Sequence, residues 1–97
     1  MIRSFADRAT ADLFHRERTA RLRRLPPEIR RTALRKLDML EAACSLSDLR
    51  VPPSNRLESL AGDLAGFFSI RINRRWRLVF RFDGEDTWDV AILDYHR

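Results

Sequence analysis

The chain has 97 residues, 44% of them hydrophobic and 34% charged, which suits one small folded domain over residues 1–97 and leaves no room for two cores. Nineteen Lys and Arg against fourteen Asp and Glu give a formal charge of +5. No apolar run exceeds four residues (90–93), so neither a membrane span nor an export signal is expected. Cys44 is the only cysteine, which excludes an internal disulfide and a multi-cysteine metal site. A reducing cytoplasm is the expected location.

The basic residues are clustered. Residues 15–36 carry nine of them against Glu17 and Glu28, and Lys36 is the single lysine of the chain. Residues 67–82 hold Arg71, Arg74, Arg75, Arg77 and Arg81 with no acid, and residues 83–94 then carry five acids. Arginine offers a planar fork that meets phosphate oxygens bidentately, so two such clusters read as a phosphate-backbone footprint. GC-rich codon usage and a merely solvated surface are the competing explanations.

In chain order, residues 2–5 are a candidate short strand, and Asp7 or Thr10 can cap a first helix running through Leu13 and Phe14. The basic end of that helix runs into Leu25-Pro26-Pro27, and proline in a first turn marks Pro26-Pro27-Glu28 as the start of a second helix. Ile29, Ala33, Leu37, Leu40 and Cys44 follow one helical face, with Arg31, Arg35 and Asp38 opposite. On that reading Cys44 is a buried small hydrophobe. Residues 51–55 form a proline loop, residues 57–60 a candidate strand, and residues 62–66 a turn.

After Gly66 the period becomes two. Phe68, Ile70 and Ile72 alternate with Ser69 and Arg71, while Trp76, Leu78, Phe80 and Phe82 alternate with Arg77, Val79 and Arg81. Asp83-Gly84-Glu85-Asp86 supplies a turn before a last strand over residues 87–94. Helices followed by a strand meander predict an α+β fold, two or three N-terminal helices packed on a small antiparallel sheet. If Ile72 and Trp76 share a face, the hairpin loop is Asn73-Arg74-Arg75 and Arg71 pairs with Arg77. Like charges opposed on a sheet repel, which argues that an anion sits there. The alternative is neutralisation by Asp89 or another acid of a neighbouring strand.

Glycine-rich phosphate loops, H-E-x-x-H and paired-cysteine sites are absent from the sequence, and no metal or other cofactor is expected. His15 lies among charged residues and is expected to be solvated. The closing Asp94-Tyr95-His96 puts a carboxylate, a phenol and an imidazole at the end of a strand. Metal-free RNA cleavage needs a base for the ribose 2′-hydroxyl, an acid for the leaving 5′-oxygen, and a cation for the five-coordinate phosphorus. Histidine serves as either acid or base near neutrality, and arginine suits the third role.

Ile2-Arg3-Ser4-Phe5, the stretch from Asp48 to Glu58, Gly62-Asp63, Gly66, Ser69-Ile70-Arg71-Ile72-Asn73, Trp76-Arg77 and the terminal Asp94-Tyr95-His96 together resemble the HigB toxins of the RelE/ParE superfamily, collinearly over essentially the whole chain. The resemblance implies a RelE-like fold and a ribosome-dependent, metal-independent endoribonuclease that cuts mRNA in the decoding site and stops translation. It places Asp94, Tyr95 and His96 in the active site with Arg77 as the phosphate-stabilising cation: His96 as acid or base, Tyr95 stacking on or hydrogen-bonding substrate, Asp94 setting geometry. Arg71, Arg74, Arg75 and the helical Arg23, Arg24, Arg31 and Arg35 would bind mRNA or ribosomal RNA.

The chain departs from that pattern at two positions. Ala61 stands where a lysine is common, and Arg56 or Arg75 would replace its charge; Glu58 stands where some members have histidine, and is either a base partnering His96 or a solvated carboxylate. The expected partner is a HigA-like helix-turn-helix antitoxin, through which operator DNA is contacted indirectly. A non-catalytic nucleic-acid- or partner-binding module and a gyrase-poisoning ParE-type toxin are the alternatives on the same fold.

Overall fold

A computed structural model describes residues 1–95. Two α-helices, α1 (Arg8–Phe14) and α2 (Pro27–Ala42), cover one face of an antiparallel meander, β1 (Glu58–Ser59), β2 (Phe68–Arg71), β3 (Trp76–Asp83) and β4 (Asp86–Asp94), in the spatial order β1-β2-β3-β4. The α+β expectation therefore holds, with two α-helices. No helix among the described residues is long and apolar enough to cross a membrane.

Local chemistry sets the helix ends. Asp7 caps α1 by accepting the Thr10 amide at 2.8 Å. The helix stops at Phe14 instead of carrying the basic stretch onward: Arg16 turns left-handed (φ 56°), and Ala20–Arg24 forms a separate 3₁₀ turn. His15 is exposed, as expected, but its ring packs edge-on against Phe5 and Phe14 with centroids at 5.7 and 5.3 Å. Pro26 precedes the first turn of α2, whose Ile29, Ala33, Leu37 and Leu40 are fully buried or nearly so. Each of the larger three contributes about 1.5–3 kcal/mol by leaving water.

Cys44 is not on that buried face. It is exposed, because α2 ends at Ala42 and the Asp48 carboxylate accepts the amides of Cys44 (2.9 Å) and Ser45 (3.1 Å). Those bonds draw the chain out of the helix and, with Ser45, make a capping box for the 3₁₀ turn Leu46–Arg50. They also hold the Asp48 carboxyl below its ordinary pKa, Cys44 contributing most.

Ile70, Ile72, Leu78, Phe80, Val90 and Ile92 face the helices. On β4 the alternation breaks: Val79 pairs with Ala91 but Arg81 pairs with Trp88, so Asp89 and Val90 together oppose Phe80. Asp89 takes the left-handed conformation (φ 53°) at this bulge, which lets Thr87 and Val90 both point inward. The predicted strand at residues 2–5 is present only as two isolated parallel bridges, Ile2 with Thr87 and Phe5 with Val90. This segment, followed by the Thr10 hydroxyl accepting the Ile92 amide at 3.0 Å, covers the outer edge of β4 that would otherwise invite intermolecular pairing.

Asp12 ties α1 to the basic turn. Its Oδ2 accepts from Arg21 Nε at 2.8 Å and from the Thr19 hydroxyl at 2.6 Å. The Arg21 bond first, and then the Thr19 bond, hold its carboxyl below the usual value of 3.8. A depressed carboxylate stabilises the fold above its unfolded pKa and loses that contribution as pH falls through the folded one. Asp12→Asn is therefore expected to lower the melting temperature near neutrality, and the gap to the original protein should close as pH falls from about 6 to about 3. Thermal melts across that range check it; a gap that widens in acid overturns it.

Candidate active site

Hairpin geometry assembles the site. The Asn73 side chain accepts the backbone amides of Arg75 and Trp76, each at 2.8 Å, closing the three-residue loop Asn73-Arg74-Arg75. The resulting register pairs Arg71 with Arg77, as the sequence predicts. Beyond the last β3–β4 pair, Trp76 with Asp94, the Tyr95 amide donates to the Arg75 carbonyl at 2.6 Å. That extra rung holds Tyr95 at the hairpin tip.

A cleft of about 350 Å³ opens there. Four arginines line it, Arg56, Arg71, Arg74 and Arg77, with Glu58, Asn73 and Tyr95. Its volume lies in the range of small-ligand sites. Thus Arg77, Glu58, Tyr95, Arg71, Arg74 and Arg56 are brought together from three strands, the β2–β3 hairpin loop, the turn before β1 and the residue after β4.

Arg77 is the anchored member, 8% exposed. Its Nε donates to Ser69 Oγ at 2.8 Å, its Nη2 to the Arg56 carbonyl at 2.6 Å, and its Nη1 lies 3.6 Å from Glu58 Oε1. Sheet register explains each contact. Ser69 pairs with Val79, which sets it diagonal to Arg77 on the same face, and Glu58 pairs with Ser69. Arg56 presents its carbonyl from a left-handed conformation (φ 47°) at the end of the 3₁₀ turn Pro53–Asn55.

The proline loop is in turn held by Asn55, which is fully buried. Asn55 donates to the Leu49 carbonyl at 3.1 Å and accepts from Lys36 Nζ of α2. Glu58 reaches the cleft and is the acid of a neighbouring strand that partly neutralises the arginine pair, through Arg77, whereas Asp89 does not: it binds Arg81 Nε at 2.9 Å. Of the two residues considered as stand-ins for the lysine replaced by Ala61, Arg56 lines the cleft. Arg75 instead turns to Asp94, with Nη2 to Oδ2 at 2.8 Å. Asp94 thus braces the hairpin tip beside the cleft.

The helical arginines lie elsewhere. Arg24 pairs with Asp7 at 3.4 Å, Arg23 lines a separate hollow with Leu22 and Arg30, and Arg31 is exposed on α2. Arg35 borders a neighbouring hollow that shares Arg71 and Asn73 with the cleft. His96 lies outside the described residues. Two members of the site were given no site role by the sequence, Ser69 and the hairpin-loop residue Asn73. Ser69 had one available signal, a hydroxyl on a strand between two core residues, diagonal to an arginine once the register is known.

The family model described as "RelE-like toxin of type II toxin-antitoxin system HigB" matches residues 3–96. The chain is 40% identical over 82 residues to Toxin HigB-1 of Vibrio cholerae, covering 84% of each protein. It is 37% identical over 41 residues to Endoribonuclease HigB of Proteus vulgaris, covering 42% of this chain and 45% of that protein. Among solved structures, the YoeB-YefM complex from Staphylococcus aureus matches with a TM-score of 0.60 at 21% identity, over 100% of this chain and 97% of that one, which is a likeness of fold. On the family match and the Vibrio relative together, the chain belongs to the HigB-like toxins, RelE-like toxins of type II toxin–antitoxin systems.

Proposed function

We propose that this toxin is an endoribonuclease that cuts mRNA on the ribosome and so stops translation. The observation that carries the proposal is the cleft itself, where a buried, hydrogen-bonded Arg77 stands among three further arginines with Glu58 and Tyr95 alongside. A phosphodiester entering it meets a fixed guanidinium, and fixed charge stabilises a transition state without reorganisation cost. The name of the Proteus relative, Endoribonuclease HigB, supports the same chemistry.

In the proposed reaction the ribose 2′-oxygen forms a bond to phosphorus while the bond to the 5′-oxygen breaks. A base takes the 2′-hydroxyl proton and an acid protonates the departing 5′-oxygen, giving a 2′,3′-cyclic phosphate and a 5′-hydroxyl. Arg77 holds the extra negative charge on the five-coordinate phosphorus. His96 is assigned one proton transfer, because histidine in general can take or give a proton near neutrality and because it directly follows Tyr95 in the sequence; Glu58 is the candidate for the other. Tyr95 stacks on or hydrogen-bonds the substrate, and Asp94 holds the hairpin tip through Arg75. No step calls on a metal.

Arg56, Arg71 and Arg74 would grip the RNA backbone in the small-subunit decoding site, with Arg75, Arg23, Arg24, Arg31 and Arg35 reaching mRNA or ribosomal RNA outside the cleft. The partner is a HigA-like antitoxin, through which operator DNA is bound. The Staphylococcus structure, a toxin-antitoxin complex by its title, supports an antitoxin partner. The site of action is the cytoplasm, where translating ribosomes are.

Expression of the protein in a bacterial host should arrest growth and cut mRNA at codon-sized spacing, and His96→Ala should abolish both. Arrest that survives His96→Ala without mRNA cuts overturns the nuclease reading in favour of binding or gyrase poisoning. Efficient cutting of naked RNA by the purified protein overturns the ribosome requirement.

A further inference from the structure

A second hollow, of about 360 Å³, lies between α2 and the β2–β3 hairpin. Thr32, Arg35 and Lys36 approach it from α2, where spacings of three and four put 32, 35 and 36 on one side. Ser54 comes from the proline loop, and Arg71 and Asn73 form the wall shared with the cleft. Three cations and no acid border this space.

Lys36 is the unusual member. It is 6% exposed, its ammonium donates to Asn55 Oδ1, and no carboxylate among the described residues lies within ion-pair distance of it. An ammonium has three donors, and a buried charge without a counter-charge is costly to the fold. Burial first, and then the nearby Arg35 charge, push its pKa down from 10.5. Arg35 and Arg71 likewise have no carboxylate within ion-pair distance among the described residues, and the cleft's one acid, Glu58, pairs with Arg77, so no described acid borders the hollow to offset its three positive charges. An anion with several oxygens offsets them: it accepts from the ammonium and the guanidinium forks and leaves acceptors for the Thr32 and Ser54 hydroxyls.

We infer that this hollow is a second phosphate subsite, which holds the phosphodiester next to the scissile one while Arg71 bridges the two. The inference rests on the RNA-cleaving reading of the cleft. A strand lying in the cleft passes Arg71 and Asn73, and those same residues open the hollow, so the neighbouring phosphate is the anion delivered there. The single lysine of the chain then has a reason to be buried beside the apolar Ala33, Leu37 and Leu40. It trades stability for a phosphate site.

The test uses the purified toxin and all-deoxy dinucleotides, which lack the 2′-hydroxyl and cannot be cut, so its outcome is independent of whether the protein is a nuclease. Affinities are compared for a dinucleotide without a terminal phosphate, with a 5′-phosphate and with a 3′-phosphate, at low salt. One of the two added phosphates should tighten binding by about tenfold. Arg35→Gln, an exposed change, should reduce that gain to about twofold or less, and Lys36→Met should do the same. Melting curves establish whether Lys36→Met is folded; if it is not, Arg35→Gln decides alone. Absence of any gain from either phosphate overturns the inference, as expected if the hollow receives a carboxylate of a protein partner instead. A gain that survives Arg35→Gln overturns it equally. The nuclease reading stands or falls separately on the His96→Ala comparison.

Discussion

Arg77→Lys should slow ribosome-programmed mRNA cleavage by about 10²–10³-fold, with the loss in kcat and little change in KM. Lysine keeps the charge but not the fork. The guanidinium meets Ser69, the Arg56 carbonyl and Glu58 from three different nitrogens, and these contacts fix its plane relative to the cleft. An ammonium on a flexible stem cannot hold all three and still aim at phosphorus, so it loses stabilisation of a charge that exists only in the transition state.

Ser69→Ala, which removes only the Nε contact, should cost about tenfold, because Glu58 and the Arg56 carbonyl still orient the group. Rates must be taken well below the melting temperature, since each change leaves a buried polar partner unmet. The measurement is single-turnover cleavage on programmed ribosomes. If Arg77→Lys cuts at the original rate, the guanidinium is structural and the phosphate-stabilising role passes to another arginine of the cleft.

The sheet register was legible because turn chemistry and alternation agree: Asn73 closes the loop, Ile72 and Trp76 flank it, and Arg71 must then face Arg77. Repulsion between those two calls for a counter-charge there, and Glu58 supplies part of it through Arg77. The bulge at Asp89 was not legible, since one left-handed aspartate in a strand leaves no mark on a period-two pattern. The expected burial of Cys44 fails for a related reason. The apolar spacing continues past Ala42, but Ser45 and Asp48 form a capping box that wins the chain away from the helix, and that pair was the signal to weigh.

Lys36 stood on the apolar face in plain view, between Ala33 and Leu37. Only the structure shows what receives it, because Asn55 is nineteen residues away. The split between cleft arginines and helical arginines also depends on tertiary placement. Composition gives both clusters the same weight, whereas the structure gives Arg24 an acid partner in Asp7 and leaves Arg71 on the wall of two cavities.

Asn55→Ala should be the most damaging substitution to stability among the polar residues named here, at about 3 kcal/mol, or a fall in melting temperature of about 12 °C or more. The side chain is fully buried, and its loss strands two partners at once: the Leu49 carbonyl and the Lys36 ammonium. An unmet buried carbonyl costs about 1–3 kcal/mol and an unmet buried charge more. The damage reaches the cleft, because the same loop presents the Arg56 carbonyl that holds Arg77. In the double variant Asn55→Ala with Lys36→Met no ammonium remains to be stranded, so its cost should fall below the sum of the single variants by about 1 kcal/mol or more. Chemical denaturation of the four proteins measures that coupling. Strict additivity would mean that Lys36 and Asn55 do not support each other, and would remove the link between the buried lysine and the loop that shapes the cleft.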